Sequence, residues 1–296
     1  MRILYSLLLV GVTMVWGWTF VVVRDAIALY GVLGFLSVRF ALAAAALAPI
    51  TLTRVTTRIT RRTLIAGGGI GLVLASGYLL QTTGLLFTSP TNSGLITGLF
   101  VVFAPLADLL FFGKRPSRPV LVAVLSSLLG IILLAGGGPD GANVGDLLTV
   151  LCAGSLGLHI ALLSRYAYAY DVSALAFAQM LSMALVFAFF WPIFEPVAFP
   201  PREVWLALTA TGLVASAGAF WVQTFVQQRI SAARTAVILT MEPVFAAVFG
   251  YWLAGDRLVA VQIFGAALIL SALIVGEVLP VLTNRSKPRE KGDVPQ

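Results

Sequence analysis

Residues 81–115 read QTTGLLFTSPTNSGLITGLFVVFAPLADLLFFGKR, and residues 223–257 read QTFVQQRISAARTAVILTMEPVFAAVFGYWLAGDR. Laid one above the other at a shift of 142 residues, the two stretches need no gap. Gln81-Thr82 falls on Gln223-Thr224, Ser89 on Ser231, Ile96 on Ile238, and Val102-Phe103-Ala104 on Val244-Phe245-Ala246. Gly113 and Arg115 fall on Gly255 and Arg257. Apolar runs match one another easily, so the polar residues and glycines carry the alignment.

Around these copies the chain is 59% hydrophobic and 10% charged, with a mean hydropathy of +1.00. Soluble domains carry roughly 25% charged residues. There are too few charges here to cover a globular surface, so the solvent is lipid. A membrane helix needs about 20 mainly apolar residues. On that measure the 296 residues divide into ten spans, 3–24, 33–53, 64–84, 90–112, 118–137, 146–166, 172–194, 203–227, 233–254 and 258–280. The breaks carry charge or turn signals: Arg54 to Arg62, Gly113-Lys114-Arg115-Pro116, Gly136 to Gly141 with Pro139, and Pro196 to Pro201. Connections this short leave no room for a soluble domain. The apolar run from Ile3 to Val23 is longer than a signal-peptide core and has no small-x-small cleavage site after it, so it reads as a retained first span.

With the N-terminus inside, fifteen of the 19 Lys and Arg face the cytoplasm. They are Arg2; Arg54, Arg58, Arg61 and Arg62; Lys114, Arg115 and Arg118; Arg165; Arg229 and Arg234; and Arg285, Lys287, Arg289 and Lys291. Arg24, Arg202 and Arg257 fall outside, with Asp140, Asp146, Glu195 and Glu203. The positive-inside rule then places both termini in the cytoplasm and requires an even number of spans. The shift of 142 residues moves the chain by five spans, an odd number, so the second copy enters the membrane upside down. The expected fold is an all-α membrane protein of ten transmembrane helices in two inverted five-helix repeats, residues 1–137 and 138–282, with a disordered cytoplasmic tail over 283–296. Many secondary transporters have inverted repeats, with the substrate near the midplane between them.

The net charge of +7 sits in short clusters between apolar runs, which fits a cytoplasmic membrane face and not nucleic acid. One cysteine, Cys152, and one histidine, His159, give neither a disulfide framework nor a metal site, and no cofactor is expected. There is no Walker motif, no His-Glu-x-x-His and no nucleophile elbow, so no enzyme is expected and ATP-driven transport would need a separate subunit. Gly67, Gly69 and Gly71, like Gly94-x-x-x-Gly98, read as close-packing positions in apolar helices. The expected partners are a small-molecule substrate and the bilayer, for a monomer or a homodimer.

Ionisable groups inside spans are costly, which makes each a functional candidate. Arg39, near the outer end of span two, either snorkels or pairs with Asp25 or another carboxylate, or it captures a substrate carboxylate. His159, past the middle of span six, is a satisfied buried residue or a pocket and proton-relay group. Glu242, before Pro243 at the centre of span nine, exchanges protons or bonds a backbone amide freed by the proline. Asp108 reads as solvated or paired with Lys114 or Arg115. Thr13, Trp16 and Phe20 share one face of span one, and Trp16 lies too deep for an interfacial belt. Tyr78 and Gln81 share a face of span three, and Phe220 and Gln223 in span eight are their repeat partners. Such an amide pair lines a cavity between the halves or glues helices together. Asn92 and Ser93 read as caps of span four.

Trp16-Gly17 with Phe20, Arg39-Phe40 opening an alanine-rich second span, and Glu242-Pro243 leading to Gly255-Asp256-Arg257 together resemble the drug/metabolite transporter superfamily. The likeness is to its EamA-type ten-helix members, nearest to the YddG-type amino-acid exporters, and it covers essentially the whole chain. In that family the glycine ending span nine is usually followed by glutamate, where this chain has Asp256. The resemblance implies a secondary active transporter of the bacterial inner (cytoplasmic) membrane that exports small metabolites by alternating access between two four-helix bundles, with spans five and ten apart. It implies a pocket of Trp16, Tyr78 and His159, with Trp221 and Gln223. The expected substrate-binding set is therefore Trp16, Arg39, Tyr78, Gln81, His159, Trp221 and Gln223, with Glu242 and His159 as proton-coupling candidates. Aromatic walls with few charges suit an amino acid better than a nucleotide sugar. The alternatives are export of hydrophobic drugs or nucleotide-linked sugars, or a passive channel.

Overall fold

In lipid no water satisfies backbone N–H and C=O groups, so apolar runs of this length become helices. The computed structural model describes residues 2–53, 59–135, 143–255 and 260–273, and every element in them is helical. The expected tail at 283–296, the links at 54–58 and 136–142, and Asp256-Arg257 lie outside the described residues.

The first copy comprises α1 (Arg2–Tyr30), α2 (Val32–Leu52), α3 (Arg61–Gly84), the broken span α4 (Pro90–Thr97) and α5 (Phe100–Phe112), and α6 (Arg118–Ala135). The second comprises α7 (Val144–Tyr166), α8 (Val172–Phe194) and α9 (Trp205–Thr209). A π-helical stretch, Ala210–Gly218, joins α9 to α10 (Ala219–Gln227). The broken span α11 (Ala232–Leu239) and α12 (Met241–Phe249) follows, and then α13 (Ala260–Leu273). Eight of these stretches are long and apolar enough to cross a membrane, and α6 and α13 add shorter apolar segments. The chain is an all-α membrane protein.

The first helix runs six residues past the expected end at residue 24. Arg24 and Asp25 do not stop it because both are exposed while Ala26 and Ile27 behind them are buried. It ends at Gly31, whose φ of 81° is a conformation open to glycine. Glu195, at the end of α8, then caps α2: its carboxylate accepts from the backbone N–H of Val32, Leu33 and Gly34, each at 3.0 Å. These are orphan donors of a helix start, where negative charge is favoured.

The two copies break their fourth spans alike. Ser89 caps α4 by accepting from the Asn92 N–H at 3.1 Å, and Ser231 caps α11 by accepting from the Arg234 N–H at 3.4 Å. The cap is thus Ser89 ahead of Pro90, not Asn92 or Ser93. The helices are interrupted at Gly98-Leu99 and at Thr240, and both spans end on a left-handed glycine, Gly113 and Gly255.

Close approach fixes how the copies meet. A Cβ on Gly17 would lie 2.6 Å from Cβ of Phe245, and one on Gly157 would lie 2.5 Å from Cβ of Phe103. The α1–α12 contact is therefore repeated as the α7–α5 contact, with the partners exchanged. Of the sequence glycines, Gly67 and Gly71 pack on α8 and Gly94 and Gly98 on α12, while Gly69 faces open space. Outside this core α6 and α13 pack chiefly on each other, where a Cβ on Gly130 would meet Ile269 at 2.6 Å.

Replacing Glu195 by Ala leaves three α2 donors without their acceptor. Loss of a helix cap costs about 1–2 kcal/mol; the variant is expected to show a lower melting midpoint in detergent than the parent chain, and an unchanged midpoint would remove this role.

Candidate functional site

Between the two copies lies a cavity lined by α1, α3, α5, α7, α10, α11 and α12. Trp16, Thr19 and Phe20 come from α1, and Leu156, His159 and Ile160 from α7. Tyr78 and Gln81 come from α3, Phe100 from α5, Phe220 and Gln223 from α10, Leu239 from α11 and Glu242 from α12. The contact of Gly17 with α12 and of Gly157 with α5 sets the equivalence of α1 and α7 at 140 residues, two fewer than the shift of the later spans. With that register, twelve of the thirteen lining residues form six pairs across the halves. The cavity therefore straddles the pseudo-twofold axis.

Its chemistry is not symmetric. Thr19 is paired with His159 and Phe100 with Glu242, so both ionisable pairs carry their charge-bearing member in the second copy. Phe220 is the hub of the aromatic wall, with ring centroids 5.1 Å from Trp16, 6.0 Å from Tyr78 and 5.8 Å from His159. Trp16 is held by its indole N–H, which donates to the Ala215 carbonyl at 2.8 Å. That carbonyl belongs to the π-helical stretch, a geometry frequent at functional sites.

The histidine tautomer follows from its neighbour. Gln179 donates from Nε2 to the Leu175 carbonyl at 3.3 Å, which turns its Oε1 toward His159 Nε2 at 2.9 Å. Nε2 of His159 therefore carries the proton and donates. A second amide chain runs from Gln223 Nε2 to Gln227 Oε1 at 2.8 Å, and from Gln227 Nε2 to the Ile160 carbonyl at 2.8 Å and Ser164 Oγ at 2.6 Å. Gln81 places its Nε2 at 3.1 Å from Thr97 Oγ1.

Arg39 lies behind this wall. It is 2% exposed, donates from Nε to Ser216 Oγ at 2.9 Å and from Nη2 to the Tyr78 hydroxyl at 3.4 Å, and stands 4.8 Å from the Tyr78 ring centre and 5.3 Å from that of Phe40. Among the described residues it forms no ion pair, with Asp25 or any other carboxylate, and it does not snorkel. It reaches the cavity only through Tyr78.

Of the expected substrate set, Trp16, Tyr78, Gln81, His159 and Gln223 are brought to one cavity, together with Glu242. Trp221 is placed elsewhere: it stacks on Phe225 at 5.7 Å and donates to Ser173 Oγ at 3.0 Å. Glu242 bonds no backbone amide and, among the described residues, has no hydrogen-bond partner. Asp108 is 6% exposed and makes no close ion pair among the described residues, with Lys114 as its electrostatic neighbour at a longer distance. Thr19, Phe100, Leu156, Ile160 and Leu239 also line the cavity and carry little polar signal of their own. The 140-residue register would have picked out Thr19, Leu156 and Ile160 as partners of His159, Trp16 and Phe20, but the ungapped alignment at 142 hides it.

The sequence profile of the EamA-like transporter family matches residues 3–136 and again residues 143–275. A protein of Archaeoglobus fulgidus described as an uncharacterized transporter is 33% identical over 275 residues, covering 93% of this chain and 86% of that one. A protein of known crystal structure superposes with a TM-score of 0.76 at 19% identity, over 94% of this chain and 98% of the other, which speaks for the fold alone.

Replacing Ser216 by Ala deprives the buried guanidinium of an acceptor without touching the cavity. A hydrogen bond to a charged group is worth about 1.5–3 kcal/mol, so the variant is expected to melt earlier in detergent while substrate binding is kept. An unchanged melting midpoint would show that the bond contributes nothing.

Proposed function

The chain belongs to the EamA-like transporter family, and on that premise we propose that it exports amino acids or similar small metabolites across the cytoplasmic membrane by alternating access, with the cavity between the copies as the substrate site. The observation that carries this reading is the placement of that cavity on the pseudo-twofold axis. A site on the axis touches both copies and keeps the same walls when one half rocks against the other. Its aromatic faces suit an apolar side chain, and its few polar groups suit a small charged head.

The cavity's size supports a moving wall. The space open to the centre of a water molecule is about 30 Å3, enough for about two waters and far below the roughly 300 Å3 at which ligand pockets begin. Substrate entry thus requires the bundles to part. On the side expected to be cytoplasmic, Tyr5 of α1 meets Phe225 at 6.2 Å, and the Arg229 guanidinium lies 4.0 Å from the Phe225 ring centre. Trp221 braces this cluster by stacking on Phe225 and bonding Ser173, which gives it a gate role in place of a lining one. Glu242 is the proton-exchange candidate, and His159, with Nε2 engaged by Gln179, is a lining residue.

In proteoliposomes, counterflow of labelled apolar amino acids is expected to saturate. Trp16→Ala and His159→Ala are each expected to cut the flux about tenfold or more, the loss of one or two contacts of ordinary strength, with the elution profile of the folded protein retained. Unchanged flux in both variants would remove the cavity as the substrate site. Non-saturable flux would favour a channel.

A further inference from the structure

The groups around the cavity are unequal in what they have left to offer. Every N–H-bearing atom of its walls makes a bond to the protein, Trp16 Nε1 to Ala215, His159 Nε2 to Gln179, Gln223 Nε2 to Gln227 and Gln81 Nε2 to Thr97, and the two amides each keep a second hydrogen. Arg39 is spent on Ser216 and Tyr78 behind the wall. Acceptors, by contrast, are left over among the described residues, Gln81 Oε1 and His159 Nδ1 with them, and two matter most. One is the carboxylate of Glu242, which is 4% exposed and lines the cavity. The other is Oε1 of Gln223, a buried oxygen of a residue 1% exposed.

Rotating the amide of Gln223 does not reverse this assignment. The Ile160 carbonyl is an acceptor only, so Gln227 must present Nε2 to it. Gln227 Oε1 then faces Gln223 and requires its Nε2, which leaves Oε1 of Gln223 unspent. The backbone of α7 thereby fixes the polarity of a side chain on α10. A buried carboxylate is costly in a bilayer unless it takes up a proton or meets something with N–H hydrogens and positive charge, and the unspent carbonyl of a second residue lining the same cavity offers such a group another acceptor. The faces of Trp16, Tyr78 and Phe220 around the same cavity attract a cation by their quadrupoles.

We propose that the cavity recognises the ammonium group of its substrate, seated on Glu242 and Gln223 Oε1 among these aromatic faces, and that the substrate carboxylate contributes little. This rests on the cavity being the substrate site of an amino-acid exporter. The carboxylate end finds at most the Tyr78 hydroxyl, which accepts from Arg39 and keeps its own proton to donate. Primary amines are therefore ligands of the same site, and acylation of the nitrogen weakens recognition.

The test is calorimetric binding to the full chain in detergent, because neutral amines cross bilayers unaided. The probes are phenylalanine, 2-phenylethylamine, which lacks the carboxylate, and N-acetylphenylalanine, which lacks the ammonium. Phenylalanine and the amine are expected to bind comparably, and the N-acetyl compound weaker by about tenfold or more, the loss of one charge-assisted contact. Glu242→Gln is expected to erase that preference. Binding of the amine alone, dependent on Glu242, would keep the ammonium site and overturn the amino-acid reading. Equal binding of phenylalanine and its N-acetyl form would overturn the ammonium site and leave the amino-acid reading standing. Binding of none of the three, or a preference that survives in Glu242→Gln, would overturn the ammonium site. The three wild-type measurements decide the matter even if the variant does not fold.

Discussion

A polar group at membrane depth has no water to turn to, and the arrangement of this protein follows from where each such group finds its partner. The α2 donors find Glu195, the broken spans find Ser89 and Ser231, and the guanidinium of Arg39 finds Ser216 and Tyr78. The serine caps are local, three residues apart, while the Glu195 and Arg39 bonds join elements far apart in the chain. Arg39 ties α2 to α3 and to the π-helical stretch before α10. At the cavity Glu242 and Gln223 Oε1 are left over, and elsewhere Ser37, Ser93, Asp108, Ser127 and Thr235 each keep a buried oxygen without a partner among the described residues.

Duplication supplied the cavity's shape, and divergence supplied its chemistry. The Gly17–Phe245 and Gly157–Phe103 contacts are one packing solution used twice, and they hold α1 and α7 against the broken spans at equivalent heights. An unmodified pair of copies would line the axis with matching residues from both sides. Here Thr19 stands opposite the register of His159, and Phe100 opposite that of Glu242. The axis thus keeps a matched packing on both sides, while the histidine and the carboxylate both come from the second copy.

Much of the fold was legible beforehand because lipid imposes a length on apolar runs. The expected spans 90–112 and 172–194 have the bounds of α4–α5 and of α8, and the ends of most others fall within a few residues. The exception is α1, expected to end at residue 24 and continuing to Tyr30. A helix can carry charges on an exposed face, and only the left-handed backbone at Gly31 stops it. For the cavity, aromatic and ionisable residues inside spans pointed to Trp16, Tyr78, His159 and Glu242. Trp221, which the resemblance alone added to the pocket, belongs to the Tyr5–Phe225–Arg229 cluster, because neighbouring residues on a helix face directions about 100° apart and sequence alone does not say which direction is inward.

By itself the sequence determined a helical membrane protein and a repeated, inverted plan, because hydrophobic length, glycine spacing and odd span number are properties of the chain read in one dimension. The tertiary structure decided which polar atoms are spent and which are left over. That Arg39 stands behind Tyr78 and not in the cavity, and that the Ile160 carbonyl pins Gln227 and through it Gln223, depend on contacts between residues 39 and 216 and between residues 160 and 227. Hydrogen bonds are directional and reach about 3 Å, so only the packing of distant helices fixes them.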